Sequence, residues 1–141
     1  MTRKEQILKE VESLIEVRYA TQNGAYKTGR NITPTGCVNH SVGCAQPSAE
    51  VFLGLMNKPD AGWGVNAILG DFHKGPGRIL LVLPLTCRPW GCGAGNKGSW
   101  NNSRVQWEVC EPAGHTYAGG TMIAYDPEKN AGYFERMWAL L

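Results

Sequence analysis

The chain has 141 residues, 43% of them hydrophobic, with 14 basic and 12 acidic side chains and a formal net charge of +2. That is one domain's worth of chain, too apolar and too sparsely charged to be intrinsically disordered. It carries no apolar run near the ~18 residues of a membrane span and no basic stripe of the kind that marks a nucleic-acid partner. The opening Met-Thr-Arg-Lys-Glu-Gln lacks the apolar core of a signal peptide, so the expected compartment is the cytoplasm. Five cysteines are an odd number for a disulfide framework and are read as reduced thiols in a cytoplasmic product, or as allowing a disulfide if the protein leaves the cell by a route other than a signal peptide.

Thr2 with Glu5 three residues later forms a capping box. Ile7, Leu8, Val11, Leu14 and Ile15 share one stripe, which predicts a helix over residues 2–19. Residues 20–36 have no period and read as a connector, of which 20–32 precede the core proper. A short strand is expected over Cys37–Val42, carrying His40. Ser48 is placed to cap a second helix with Val51, Phe52, Leu55 and Met56 on its apolar side, stopping before Pro59. Strands are expected at Gly64–Gly70, Arg78–Pro84 and Ser103–Val109, with a turn over Asp71–Gly77. Thr86–Asn102 is a long loop bearing Gly and Trp. Asp126 as N-cap and Pro127 at the first helical position predict a last helix with Phe134, Met137, Trp138 and Leu141 on one face. It closes on Met-Trp-Ala-Leu-Leu without a stop signal and is expected to be unfinished. Interspersed strands and helices give an α/β or α+β class with a mixed sheet.

The chemistry-bearing residues are few. In Ser103–Val109, Val105, Trp107 and Val109 alternate with Arg104, Gln106 and Glu108. The second set faces either solvent or a cleft in which Glu108 would serve as a general base. His40 is a structural histidine or a metal ligand; Gly43 argues against sharing a metal with Cys44. Cys87 and Cys92 fit no zinc-finger spacing. His73 and His115 both read as borne on surface loops. The Gly91–Gly98 run lacks the Gly-Lys-Ser/Thr ending of a phosphate loop.

Several blocks in order carry a resemblance: His40-Ser41-Val42-Gly43-Cys44-Ala45-Gln46-Pro47-Ser48, Trp63-Gly64-Val65-Asn66-Ala67, Leu83-Pro84, Arg88-Pro89-Trp90-Gly91-Cys92-Gly93, and Asn101 through Pro112. Over residues 33–141 the chain resembles the zinc-dependent N-acetylmuramoyl-L-alanine amidases of the peptidoglycan-recognition type, notably those of phages and gut Firmicutes. The resemblance implies one domain with a mixed central sheet flanked by helices, peptidoglycan as partner, and a monomer that reaches the wall on lysis. It implies a zinc-activated water that attacks the amide between the lactyl group of muramic acid and L-alanine. On it His40 is a zinc ligand, Glu108 handles the proton, and Trp90 and Asn101 line the substrate groove. Asn66 and Gly91 stand where many members have His, and are expected to alter substrate contacts. The other two zinc ligands are expected beyond the last helix, so the 141 residues alone are expected to be impaired. The alternatives are a muropeptide-binding module without zinc and a thiol hydrolase using Cys44 or Cys92.

Overall fold

The computed structural model describes residues 1–119, 121–124, 126–128 and 130–141. Helix α1 (Arg3–Glu12) starts at the capping box: the Thr2 N–H donates to Glu5 Oε2 at 2.6 Å, and the Glu5 N–H to Thr2 Oγ1 at 3.3 Å. The expected continuation to Tyr19 does not form. Ser13 caps the helix, and Ile15–Val17 become strand β1, parallel to β4 (Arg78–Leu81) with Glu16 opposite Leu80. β-Branched Ile15 and Val17 gain less from a helix than from a place at the edge of a sheet. The helix stops at Glu12 and α1 buries no residue; Ile7, Val11 and Leu14 line an open cleft with Ala139 and Leu140.

The connector contains one further turn of helix, α2 (Gly24–Thr28), which the lack of period concealed. Buried Asn23 starts it and ties three segments together. Its Oδ1 accepts from the Ala25 N–H at 2.9 Å, while its Nδ2 donates to Met56 O at 2.8 Å and Trp63 O at 2.9 Å.

The central sheet has five strands in the order β1-β4-β3-β5-β2, where β2 is Cys37–Ser41, β3 Ala67–Gly70 and β5 Val105–Val109. β3 and β4 are antiparallel and the other neighbours parallel, so the sheet is mixed. Strands β2, β3, β4 and β5 are each a trimmed version of the run read from sequence. Helix α3 (Ala49–Met56) covers one face and helix α4 (Tyr133–Leu140) covers the other. Under α3, Phe52, Leu53 and Met56 meet Val65, Ile68, Leu80 and Val82. Under α4, Tyr133 meets Ala67, Leu69, Phe72 and Val109. Ser48 is the N-cap residue of α3 without a side-chain cap bond, and Val51 and Leu55 remain exposed. The fold is thus mixed α/β with helices on both sides of the sheet.

The last helix opens at Tyr133 rather than at Asp126–Pro127. Asp126 Oδ1 accepts from the Glu128 N–H at 3.1 Å, and buried Asn130 donates to Asp126 O at 2.9 Å and to Ala113 O at 2.7 Å. Asp-Pro has served as a turn former, which its chemistry equally allows. The face is also rotated from the expected one. Tyr133, Phe134, Met137 and Leu140 meet the sheet, while Trp138 is 68% exposed. Strands β6 (Thr116–Ala118) and β7 (Thr121–Ala124), absent from the sequence reading, form an antiparallel pair ahead of it. Among the described residues, no helix is long and apolar enough to cross a membrane.

Candidate functional site

Parallel pairing of β2 with β5 sets His40 beside Glu108 and Val38 beside Gln106. Paired residues project to the same side, so His40, Gln106 and Glu108 share the α3 face of the sheet. His40 Nε2 lies 3.0 Å from Gln106 Oε1, and Gln106 Nε2 donates to Asn101 Oδ1 at 2.8 Å. The long loop returns over these groups. The Cys92 N–H donates to Asn101 Oδ1 at 2.9 Å, Asn101 Nδ2 donates to Cys92 O at 2.7 Å, and Cys92 Sγ is 3.8 Å from His40 Nε2.

Glu108 is half-buried and lines a cleft of about 350 Å³ with Val42, Phe52, Leu55 and Trp63. Its Oε2 is buried and has no hydrogen-bond partner among the described residues. Burial pushes its carboxyl above the ordinary carboxylate range, and the neighbouring His40 charge pulls the other way. A carboxylate next to an imidazole at the wall of an open cleft suits proton transfer.

The other residues named from sequence fall in different places. Trp90 is half-buried and braced: a Cβ on Gly24 would lie 2.7 Å from its ring, and its backbone N–H donates to Gly64 O at 2.7 Å. Asn101 is buried, and both ends of its carboxamide are engaged within the chain. Asn66, expected to alter substrate contacts, is wholly buried: its Nδ2 donates to Pro84 O at 2.9 Å and Cys87 O at 3.0 Å, and its Oδ1 accepts from the Gln106 N–H at 2.9 Å. That is a correction, because a side chain so occupied welds strands rather than meeting a ligand. His73 is exposed as expected, whereas His115 is buried against Tyr117 and Phe134. Its ring packs on Tyr117 of β6, which the sequence reading did not place, and on Phe134 of α4, whose start it set too early.

Three participants were not singled out as site residues from sequence. Gln106 is the first, hidden because alternation alone makes it a solvated residue. Glu111 is the second: its Oε1 accepts from Ser41 Oγ and, at 3.2 Å, from the Gly43 N–H. Trp100 is the third. It is 61% exposed and lines a second cleft, of about 420 Å³, with Cys92, Asn96 and Lys97. Its position in a Gly-rich loop just before β5 was the only available signal.

No three His, Cys, Asp or Glu side chains among the described residues converge as a metal-holding group. His40 has one sulfur neighbour, Cys92, whose thiol burial pushes up. This donor set does not fit a complete zinc centre, which takes three or four protein ligands. A phosphate-loop reading of Gly91–Gly98 also has no support, since the run closes on itself through a Gly95–Gly98 bridge and is followed only by a 3-10 turn at Trp100–Asn102. No protein-family model, curated protein or solved structure matches the chain.

Proposed function

We propose that this chain carries the catalytic frame of a peptidoglycan amidase, acting on the bond between the lactyl group of muramic acid and the L-alanine of the stem peptide. The observation that supports it is the register pair of His40 and Glu108 on adjacent parallel strands, with Glu108 half-buried at the wall of an open cleft. Glu108 takes and returns a proton at the scissile amide. Its raised affinity for that proton moves it towards the pH at which such a group works best. In this reading His40 would be one zinc ligand; the other ligands are not among the residues gathered around it, so the activity of these 141 residues is expected to be low. Trp90 acts by bracing the wall of the groove, and Asn101 by shaping the loop that carries Cys92.

The test is the release of new N-terminal alanine from purified peptidoglycan by the full chain, with zinc supplied. Activity that falls at least ~100-fold in both Glu108→Gln and His40→Ala is the expected result. Retained activity in Glu108→Gln overturns the role given to that residue. A chain that sediments with peptidoglycan yet releases no alanine overturns the hydrolase reading in favour of a muropeptide-binding module.

A further inference from the structure

We propose that Gln106 is a positioning residue that locks His40 as the Nε2–H tautomer and leaves the ring's electron pair on Nδ1. The inference follows from the direction of each hydrogen bond in a relay that starts at a backbone group. The Cys92 N–H can only donate and the Cys92 carbonyl can only accept, and one carboxamide satisfies both, at 2.9 Å and 2.7 Å. Asn101 must therefore turn its oxygen to the N–H and its nitrogen to the carbonyl. The same Asn101 oxygen lies 2.8 Å from the Gln106 carboxamide, which must present its own nitrogen there. Gln106 is then left with its oxygen towards His40, 3.0 Å from Nε2. A carbonyl oxygen accepts and cannot donate, so the ring nitrogen facing it carries the proton. Side-chain flips and tautomers are normally free choices; here each is fixed by the group before it.

The packing supports the same assignment. Gln106 is wholly buried, and its backbone N–H is held by Asn66 Oδ1 at 2.9 Å, so the carboxamide has one place to go. Gly91 makes room for it: a Cβ there would lie 2.3 Å from Gln106 Oε1 and 3.2 Å from His40 Nε2. The relay also gives Cys92 its role. With a proton on Nε2, the thiol 3.8 Å away meets an N–H and not an electron pair. His40 cannot take the thiol proton at that nitrogen, and the two do not form a nucleophilic dyad.

The use of the Nδ1 electron pair, for a proton or a metal, rests on the amidase reading, but the tautomer does not, and it is measured on the metal-free chain. Long-range ¹H–¹⁵N correlation of the histidine rings at a pH where they are neutral, with His40→Asn to assign the signals, is the experiment. The expected pattern for His40 is a protonated Nε2, slow to exchange with water, and an unprotonated Nδ1. Gln106→Met removes the acceptor and Gly91→Ala displaces it; each is expected to speed Nε2–H exchange at least ~10-fold and to mix the tautomers. Gln106→Glu keeps an oxygen opposite the ring and is expected to keep Nε2 protonated, which a space-filling role would not require. An unprotonated Nε2 in the wild-type chain overturns the proposal whether or not a variant folds. Unchanged exchange in both Gln106→Met and Gly91→Ala overturns it as well. A chain that shows the locked tautomer but releases no alanine from peptidoglycan leaves this inference standing and removes only the amidase reading.

Discussion

Glu108 meets two opposing demands: a cleft wall excludes water from its carboxyl, while His40 offers it a partner. Burial dominates, so the folded state holds the proton more tightly than the unfolded chain does. Folding therefore costs least when Glu108 is protonated, and that advantage is lost as pH rises from the ordinary carboxylate range through the raised value. A neutral amide avoids the penalty. Glu108→Gln is expected to have a higher urea midpoint than wild type at neutral pH, the two curves converging as pH falls to about 4; a mutant less stable than wild type at neutral pH would show that the carboxylate is better paired than its burial implies. The sequence placed Glu108 on the polar side of a strand, because alternation needs only the strand itself. It could not reveal that Gln106, two residues earlier on that side, is wholly buried. That depends on Asn101 and Cys92 arriving from a loop without periodicity. Asn66 was misread for a related reason: its three partners, Pro84, Cys87 and Gln106, are 18 to 40 positions away in the chain.

At the level of elements, strands β2 to β5 were readable from their own residues, the three inner ones because apolar β-rich segments have few alternatives. The edge strand β1 was not, because its state is decided by a neighbour. Strand β1 exists because β4 offers it an edge, and side chains remote in sequence reinforce that join. Arg78 donates from Nε to Asp71 Oδ2 at 2.8 Å, from Nη1 to Glu16 Oε2 at 3.1 Å and from Nη2 to Glu50 Oε1 at 2.9 Å. One guanidinium thus links β4, β1, α3 and the corner after β3. Asp71 pays for its place there with a left-handed backbone, φ 62°, which Asp tolerates better than most residues. Removing the cation leaves the three carboxylates to Arg18 alone, which pairs with Glu16 at 3.2 Å and Glu50 at 2.8 Å while Asp71, nearly buried, loses its ion pair. Arg78→Met is expected to lower stability by about 1–3 kcal/mol in urea unfolding. The deficit should shrink at high salt, which screens the repulsion; a deficit indifferent to salt would assign the loss to packing of the Arg78 stem.

For the molecule as a whole, the two cores on either side of the sheet determine which of the five thiols can react. Cys87 and Cys110 lie in the core under α3, Cys92 is half-buried within the long loop, and Cys37 and Cys44 lie at the surface. Burial pushes up the pKa of Cys87 and Cys92, and of Cys110 much further. Cys44 is raised by partial desolvation and then by the charges of Glu111 and Glu108. The thiolate is the reactive species, so neither Cys44 nor Cys92 has the environment of an activated nucleophile. Iodoacetamide at neutral pH, followed site by site by mass spectrometry, is expected to modify Cys37 first, then Cys44, then Cys92. Cys87 and Cys110 should react at least ~100-fold more slowly, in step with unfolding, since their exposure needs the core to open. Modification of Cys92 or Cys44 ahead of Cys37 would mean that a neighbour withdraws the thiol proton, contrary to the direction of the hydrogen bonds through Gln106, and would return thiol hydrolysis to contention. The order of five alkylations thus tests the burial pattern of the fold and the chemistry of its candidate site together.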